Sequence, residues 1–472
     1  MTEHCATLLR TAFCSQRTRP LSFRIQQLTS LKNCILDNKS SLIDALTADL
    51  GRCSIESILV EIVTLRREID DTLSKIKTWT SPTHYKSPIA LFPVKMCATI
   101  PEPRGVVLII SPWNYPIYLS LSPLVSAIAA GCVACIKPSE HSPNCSALLS
   151  TLLPKYLDPD AYVVRLGAID ETTALLEQKW DKIFFTGSTS VGKIVATAAA
   201  KTLTPVVIEA GGKSPVIIDT SAPLELTARR ICYGKWLNNG QTCVAPDYAL
   251  IDDDVFDDVI AAIKGCLVSF YGDTPASSCD YSRIINSTHL TRIKNLVSDA
   301  LDKGGKLLTG SIDDVNEDDL YCPPIVLEVD VSLENFEKIK ILKEEIFGPV
   351  LVVARVKSDF VVSCIDIINS QPNPLALYIF STNKQTISTI ISSTSSGGVC
   401  VNDTVVHLGT CLPFGGVGDS GMGSSHGKAG FDEFSHHKSV LHRGTSMEVD
   451  KGLRYPPYSE RSSAWLERLA LM

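Results

Sequence analysis

The chain has 472 residues, of which 45% are hydrophobic and 20% are charged. A single compact core stops growing well below this length, so the composition favours two or more domains. The formal net charge is -7 and no long basic run is present, which argues against a nucleic-acid-binding surface. A small-molecule substrate fits this charge better.

The sixteen cysteines are scattered along the chain rather than concentrated in a short secreted pattern. No charged N-terminal region followed by an apolar region is evident, so we expect reduced thiols and a cytoplasmic location. No stretch reaches the roughly 20 uninterrupted apolar residues needed to span a bilayer. We therefore expect no integral membrane segment, and the C-terminal residues 462–472 are too short and too charged to form one.

The N-terminal segment allows two interpretations. Its arginines between positions 10 and 24 are typical of a transit peptide. Its apolar residues instead recur at the spacing of one helix face, which predicts a folded amphipathic helix. These residues are Leu21, Ile25, Leu28, Leu31 and Ile35.

Short apolar runs alternate with helix-like segments between residues 104 and 216. The predicted strands are 106–110, 133–136, 162–166, 182–185 and 206–208, and the predicted helices are 116–130, 143–156 and 191–201. This alternation is typical of a parallel, doubly wound sheet.

A second alternating series begins after residue 222. It comprises a helix to Asn238, a strand near Tyr248, helices from Val255 and His289, and strands at Leu351 and Leu377. A second α/β domain is expected, and the acidic stretch 313–319 is interpreted as a solvated loop.

The strand 182–185 runs directly into a glycine-containing turn and then a helix. This turn, 187–192, reads Gly-Ser-Thr-Ser-Val-Gly. Backbone amides and the helix dipole favour an anion at such a position. The pattern lacks the second glycine of the usual dinucleotide fingerprint, so a plain structural turn is an equal alternative.

Cys243 differs from the other cysteines in its neighbours. It follows Asn238-Asn239-Gly240-Gln241-Thr242 at the end of a predicted helix. Most buried cysteines are inert, whereas a thiol beside a loop rich in amide donors can act as a nucleophile next to an oxyanion site.

Glu209 closes the apolar strand 206–208 and precedes Ala210-Gly211-Gly212-Lys213. Its carboxylate is expected at the carboxyl edge of the sheet, where ligands of α/β folds bind, and desolvation there suits a general base. The alternatives are a cap on the following turn and an ion pair with Lys213.

Seven motifs occur in the order found in aldehyde dehydrogenases, and the chain resembles that superfamily over nearly its whole length. They are 112–116 (Pro-Trp-Asn-Tyr-Pro), 137–140 (Lys-Pro-Ser-Glu), 187–192, 209–215, 240–243, 345–349 (Glu-Ile-Phe-Gly-Pro) and 413–416 (Pro-Phe-Gly-Gly). Segments 17–21, 245–248, 421–423 and 426–428 are similar to the class three, fatty-aldehyde branch. The resemblance also favours the folded N-terminal helix.

The resemblance implies a role for each matching residue. Cys243 is the expected nucleophile, Glu209 the general base, and Asn114 with the Cys243 amide the oxyanion site. The implied cofactor is NAD, with NADP accepted. Its expected contacts are Lys137 and Glu140 at the adenosine ribose, Gly187, Ser188 and Gly192 at the pyrophosphate, Glu345 and Phe347 at the nicotinamide side, and Trp113 and Gly211 nearby. No metal is expected.

The resemblance further implies a Rossmann-like parallel sheet domain, a second α/β catalytic domain and a small β extension for oligomerisation. We expect a cofactor domain at 1–209, with a β excursion near 80–100, a catalytic domain at 210–410, and a segment 411–472 that returns to the cofactor domain and the oligomerisation region. A homodimer is expected.

The predicted activity is oxidation of a lipophilic aldehyde, such as a fatty, aromatic or terpenoid one, to its acid through a cysteine thiohemiacetal and thioester. Two alternatives keep the same fold: a CoA-acylating enzyme, which the presence of Glu209 disfavours, and a non-catalytic cofactor-binding scaffold.

The chain departs from the class three pattern at three places. Ser188 replaces asparagine, Ala210 replaces leucine, and the segment 405–412 is shortened. Cys132 and Cys135 form a C-x-x-C pair without a second pair at zinc spacing, so we interpret them as structural.

Overall fold

A computed structural model describes residues 5–86, 94–445 and 455–470. The strands are β1 Thr83–His84, β2 Val94–Pro103, β3 Val106–Ile110, β4 Val133–Lys137, β5 Tyr162–Val164, β6 Lys182–Gly187, β7 Val206–Ala210, β8 Ser214–Ile218, β9 Pro246–Asp252, β10 Lys306–Thr309, β11 Ile325–Glu328, β12 Val350–Val356, β13 Ala376–Phe380, β14 Gly398–Val401, β15 Gly421–Met422 and β16 Ser435–Arg443.

The first helices are α1 Cys5–Cys14, α2 Leu21–Asp37, α3 Lys39–Leu50, α4 Ser54–Ser57, a π-helical turn Ile58–Val63, α5 Thr64–Trp79, α6 Tyr118–Ala130, α7 Pro143–Tyr156, α8 Ile169–Leu176 and α9 Thr189–Ala200. The remaining helices are α10 Leu224–Trp236, α11 Phe256–Tyr271, α12 Ser287–Asp302, α13 Leu333–Lys338, α14 Lys340–Lys343, α15 Phe360–Asn369, α16 Lys384–Ser393, α17 Gly427–Glu433 and α18 Glu460–Ala470.

The first sheet has the order β15-β7-β6-β3-β4-β5. Strands β3 to β7 run parallel, and β15 joins β7 antiparallel. β3 and β4 are buried at every residue, as expected for strands covered on both faces. The five predicted strands and the doubly wound arrangement are confirmed, with β5 ending two residues early at Val164.

The N-terminal segment is a folded helix, as the apolar spacing predicts. Leu28, Leu31 and Ile35 of α2 are buried, and α2 packs against α5, α6 and α7. Ile25 is exposed, so the buried face is narrower than the sequence indicates. This packing anchors α2 to the helices that cover the first sheet.

The second sheet has the order β10-β11-β12-β9-β8-β13-β14, in which only β10 pairs antiparallel. The predicted elements of this half are confirmed, with one correction. The helix expected to reach Asn238 ends at Trp236, because Asn238 and Asn239 adopt left-handed φ values of 52° and 56° that no α-helix accommodates.

A third sheet of order β1-β2-β16 contains the strands of the predicted β excursion. β16 pairs with β2 from Ser435 opposite Pro103 to Arg443 opposite Val94. Residues 87–93 of the excursion lie outside the described residues, as do 446–454 and 471–472 of the C-terminal segment.

The acidic stretch 313–319 is exposed at every acidic position, as predicted. Within the described ranges, no helix combines the length and apolar character needed to cross a bilayer. The same residues contain no cluster of three or more side chains suited to holding a metal ion.

Candidate active site

Most of the predicted site residues gather at one edge of the first sheet. The parallel strands β3, β4, β6 and β7 end there, and each carboxyl end leads into a predicted motif. Trp113 and Asn114 follow β3, Lys137 ends β4, Gly187 ends β6, and Glu209 lies in β7. Strand order reverses on the two sides of β3, so this edge is a topological switch point, where α/β sheets bind ligands.

The backbone of the loop before Cys243 adopts positive φ angles that few residue types tolerate. Asn238 and Asn239 lie in the left-handed region, where asparagine is among the favoured non-glycine residues. Gly240 has φ +71°, and a Cβ there would come within 2.2 Å of the carbonyl oxygen of Gly348. The loop therefore requires glycine at 240 in order to place Gln241, Thr242 and Cys243 against the first sheet.

Asn114 is bonded to this loop. Its side-chain Nδ2 donates to the Gln241 carbonyl at 3.0 Å, and Asn238 Nδ2 donates to the Asn114 carbonyl at 2.9 Å. Buried Arg52 donates to the same Asn114 carbonyl and also pairs with Glu61. An amide nitrogen carries two hydrogens, so Asn114 Nδ2 retains one N–H for a further acceptor.

The surroundings of Cys243 favour the protonated thiol. Burial raises its pKa well above the usual value, and the negative charges of Glu345 and Glu209 act in the same direction. The backbone N–H groups of Cys243 and Val244 point at the sulfur and oppose this shift. Of these two amides, that of Cys243 is the one predicted, with Asn114, as an oxyanion donor.

Glu209 is buried, with 4% of its surface exposed. Ser425 Oγ donates to its Oε1 at 2.5 Å and Thr186 Oγ1 donates to its Oε2 at 3.3 Å. Burial raises the pKa of Glu209 to about 7, against the opposing effect of both hydroxyls. The alternative ion pair with Lys213 is absent, because Lys213 pairs with Asp247.

Cys243 and Glu209 line one cavity of about 310 Å³. Its walls are mostly apolar or aromatic, and the residues that form them include Leu59, Val60, Val63, Tyr115, Tyr118, Leu119, Leu237, Val405, Leu408 and Phe414. Asn114 is not among the lining residues, and its side chain is joined to the loop before Cys243 through the Gln241 carbonyl. A cavity of this kind suits an apolar ligand oriented by a few polar groups.

The residues predicted at the nicotinamide side form two contacts. Trp113 packs edge-on against Phe347, with ring centroids 5.4 Å apart. A Cβ on Gly211 would meet Glu345 Oε2 at 2.2 Å, so the Glu345 carboxyl lies directly over this glycine. Burial and the charge of Asp247 raise the pKa of Glu345 to about 8, although the Gly212 N–H opposes the shift.

Lys137 and Glu140 form a pair at the end of β4. Lys137 Nζ donates to Glu140 Oε2 at 3.0 Å. Lys137 is 2% exposed while Glu140 is exposed, so this is not a simple surface pair. Burial acts to raise the pKa of Glu140, but its own backbone N–H and Lys137 outweigh it, and the pKa falls below its usual range.

The turn 187–192 joins β6 tightly to α9. Ser188 caps α9, its Oγ accepting from the Val191 N–H. A Cβ on Gly187 would meet the Phe185 ring at 2.6 Å, and one on Gly192 would meet Ile208 at 3.0 Å. Close approach therefore explains both glycines, and the free amides at the start of α9 still favour an anion.

These features fit a dinucleotide. The amides of the 187–192 turn suit a pyrophosphate, the Lys137–Glu140 pair offers a donor and an acceptor for ribose hydroxyls, and Val191 and Ile194 present exposed apolar surface for a ring. The Glu345 carboxyl beside Gly211 offers a further acceptor.

Two of the site residues, Ser425 and Arg52, lie outside every motif that the sequence analysis identified. Ser425 is bonded to Glu209 across 216 positions, and Arg52 reaches Asn114 across 62. Ser425 lies between the 421–423 and 426–428 segments, and this position was the available clue. Other contacts involve motif residues: Tyr115 and Thr242 share a 2.5 Å hydrogen bond, and the Tyr118 hydroxyl and His426 Nε2 are hydrogen-bonded at 3.0 Å.

The structural interpretation of the C-x-x-C pair is consistent with its surroundings. Cys132 and Cys135 are both fully buried, and all sixteen cysteines are free thiols. Cys132 Sγ donates to the carbonyl of Phe434 at 3.3 Å, and Cys135 contacts Cys5.

Comparison with known proteins places this chain in a family. Residues 3–440 match the model of the aldehyde dehydrogenase family. Aldehyde dehydrogenase family 3 member A2 of Rattus norvegicus is 45% identical over 97% of this chain and 92% of its own length. Family 3 member H1 of Arabidopsis thaliana is 44% identical over 99% and 94%. The dimeric NADP-preferring aldehyde dehydrogenase of Canis lupus familiaris is 44% identical over 95% and 96%.

A solved structure agrees with these relatives. The substrate-bound state of Staphylococcus aureus AldH superposes with a TM-score of 0.93 at 39% identity, covering 100% of this chain and 99% of that one. The match extends over both large sheets and the edge at which the site residues gather. The chain therefore belongs to the aldehyde dehydrogenase family, is similar throughout to its family 3 members, and is an NAD(P)-dependent aldehyde dehydrogenase.

Proposed function

We propose that this enzyme oxidises a lipophilic aldehyde to the carboxylic acid through a covalent intermediate on Cys243. The observation that carries the proposal is that Cys243 and Glu209 line the same largely apolar cavity. An apolar wall stabilises an apolar substrate body by removing it from water. The two polar side chains would then act on the carbonyl end.

The residues that would hold the cofactor are Lys137 and Glu140, the 187–192 turn, and Glu345 with Gly211 and the Trp113–Phe347 pair. When bound, NAD(P) accepts a hydride from the substrate carbon. The protein supplies the nucleophile, the oxyanion donors and the base.

In the first step, Glu209 would accept the proton of the Cys243 thiol, directly or through a water molecule. The sulfur then bonds to the aldehyde carbon, and the carbonyl oxygen becomes an oxyanion. The free N–H of Asn114 Nδ2 and the Cys243 N–H would donate to it. Loss of hydride from the resulting thiohemiacetal leaves a thioester on Cys243.

Before the second step, Glu209 would release the thiol proton to solvent. The Glu209 carboxylate would then accept a proton from water, whose oxygen attacks the thioester carbon. The carbon–sulfur bond breaks, the acid leaves, and the thiolate is reprotonated. A pKa of about 7 suits this role, because a base near neutrality is both substantially ionised and able to hold a proton.

Hydrolysis distinguishes this proposal from the CoA-acylating alternative, since an active Glu209 would destroy the thioester. The non-catalytic alternative would leave the Cys243–Glu209 arrangement without a purpose. Incubation with NAD and a panel of short aliphatic, long-chain, aromatic and terpenoid aldehydes tests all three. We expect reduced cofactor and acid without CoA, with the highest kcat/KM among lipophilic members, and absence of turnover throughout would overturn the proposal.

The organisation of the chain is part of the same proposal. We propose that 1–209 forms the cofactor domain, that 210–410 forms the catalytic domain, and that 411–472 returns to the first sheet and to the oligomerisation region. The contact of β15 with β7 and of β16 with β2 supports the return. A relative described as dimeric supports a homodimer, and sixteen free cysteines support a cytoplasmic location.

A further inference from the structure

One wall of the cavity that holds Cys243 changes character along its length. Val60, Val63, Thr64 and Arg67 all line it, and their spacing places them on one face of the π-helical turn and α5. The wall begins with apolar side chains and ends with a guanidinium.

Arg67 lies where this cavity meets a second one of about 410 Å³. Six residues line both cavities: Thr64, Arg67, Tyr118, Leu408, Gly409 and His426. Cys243 and Glu209 line only the first cavity, and Asp70 and Asp71 line only the second. Arg67 is exposed, so it marks the outer end of a path that leads inward to the nucleophile.

The Arg67 guanidinium has no side-chain partner among the described residues. Throughout the part of the chain that the structure describes, it makes no side-chain hydrogen bond or ion pair, whereas the aspartates beside it are already paired. These pairs are Lys32–Asp70, Arg66–Asp70 and Lys75–Asp71.

The remaining titratable groups at the junction carry little charge at neutral pH. Burial raises the pKa of Glu68 to about 8 and lowers the pKa of His426 to about 4. Burial also raises the pKa of Tyr118 well above its usual value. Arg67 is therefore the one charged residue among the six that line both cavities.

We propose that Arg67 binds a carboxylate at the far end of the substrate, so that the enzyme takes lipophilic aldehydes carrying a terminal anionic group. The inference rests on the proposed function, because it needs the aldehyde end to reach Cys243. A guanidinium suits this task, since its planar fork forms two parallel hydrogen bonds to a carboxylate. The apolar wall between Arg67 and Cys243 would hold the connecting chain.

The test compares matched substrates. A series of saturated aldehydes of increasing length, each with a terminal carboxylate, is assayed beside the methyl esters of the same compounds. The measured quantity is the ratio of kcat/KM for the acid to kcat/KM for the ester. In the wild type we expect this ratio to exceed one at some chain length and to fall as salt screens the charge.

The variants are Arg67→Gln, Arg67→Lys and the control Arg229→Gln. Arg67→Gln should lower the ratio at least about tenfold, equivalent to about 1.4 kcal/mol, mainly through KM. Arg67→Lys should give an intermediate ratio, because it keeps the charge but loses the fork. Arg229 is exposed on α10 and lines neither cavity, so its variant should keep the wild-type ratio.

Two results would overturn the inference and leave the dehydrogenase proposal standing. One is a wild-type preference for the ester at every chain length. The other is an unchanged ratio in Arg67→Gln while esters are still oxidised. Failure of the wild type to oxidise any acid, ester or simple aldehyde would instead overturn the proposed function. Circular dichroism of Arg67→Gln establishes that a lost activity is not lost folding.

Discussion

At the residue scale, the proposed chemistry depends on two groups with displaced pKa values, the half-buried Cys243 thiol and the buried Glu209 carboxyl. Burial keeps the Cys243 thiol protonated, while Glu209, with a pKa of about 7, is available to remove that proton. The sequence predicts both residues because each interrupts an otherwise apolar or structural pattern. It does not predict Ser425, which tunes Glu209 from 216 positions away, since no local pattern reports so distant a contact.

Cys243→Ala should abolish aldehyde oxidation and leave the fold and cofactor binding intact. The side chain is small and half-buried, so its truncation costs little stability, whereas no neighbouring group can replace a nucleophile. We expect steady-state kcat to fall more than about 100-fold, or roughly 3 kcal/mol of barrier. Residual turnover above that level, with cofactor binding monitored by fluorescence, would contradict the assignment.

Glu209→Gln should form reduced cofactor once per active site and then stall at the thioester. Hydrolysis needs the base more than hydride transfer does, and the initial burst should be slower than in the wild type because the thiol also loses its proton acceptor. Stopped-flow measurement of reduced cofactor checks the burst. Undiminished steady-state turnover would show that another group activates the water.

Ser425→Ala should move the acid limb of the pH profile upward. Glu209 can accept a proton only in its ionised form, so wild-type kcat/KM should rise with pH through about 7 and then reach a plateau. The Ser425 hydroxyl lowers the pKa of Glu209, and its removal should raise the midpoint. A limb that stays in place would assign it to a different group.

At the element scale, the strands of both large sheets were predictable because they are continuous apolar runs bounded by turns. The third sheet was predictable only in outline, since pairing β2 with β16 joins segments more than 300 positions apart and such register depends on tertiary packing. The end of α10 was misplaced because left-handed asparagines resemble a helix continuation in the sequence. That loop nevertheless determines where Cys243 lies.

Gly240→Ala should therefore damage both stability and activity. The new Cβ would meet the Gly348 carbonyl at 2.2 Å, at a φ of +71°, so strain and overpacking should cost about 2 kcal/mol or more. Urea unfolding and kcat measure the two effects. Gly265→Ala is the matched control, because that glycine lies in α11, an added Cβ would meet nothing within 4 Å, and alanine favours a helix. An equal loss of stability and kcat in the control would show that the effect is not specific to the loop before Cys243.

At the scale of the whole molecule, the site is formed where the two large sheets meet. Lys137, Gly187 and Glu209 come from the first sheet, whereas Cys243 and Glu345 lie in the half that forms the second. The bound cofactor would contact both halves, from Glu140 at one end to Glu345 at the other. The order of motifs along the chain implied this arrangement, but the contact of the Glu345 carboxyl with Gly211 became visible only in three dimensions.

Cofactor choice should be decided at the end of this site farthest from Cys243. Lys137 and the backbone keep Glu140 ionised, and a carboxylate accepts hydrogen bonds from a ribose 2′-hydroxyl but repels a 2′-phosphate. Because Glu140 is exposed and held by a single side-chain pair, it can turn aside, so we expect NAD to be preferred and NADP to be accepted.

The ratio of kcat/KM for the two cofactors measures this preference. Glu140→Gln should shift the ratio toward NADP by removing the charge repulsion, with Glu225→Gln, an exposed carboxylate on α10, as the control. A wild-type preference for NADP, or a ratio that does not respond to Glu140→Gln, would mean that Glu140 does not face the ribose.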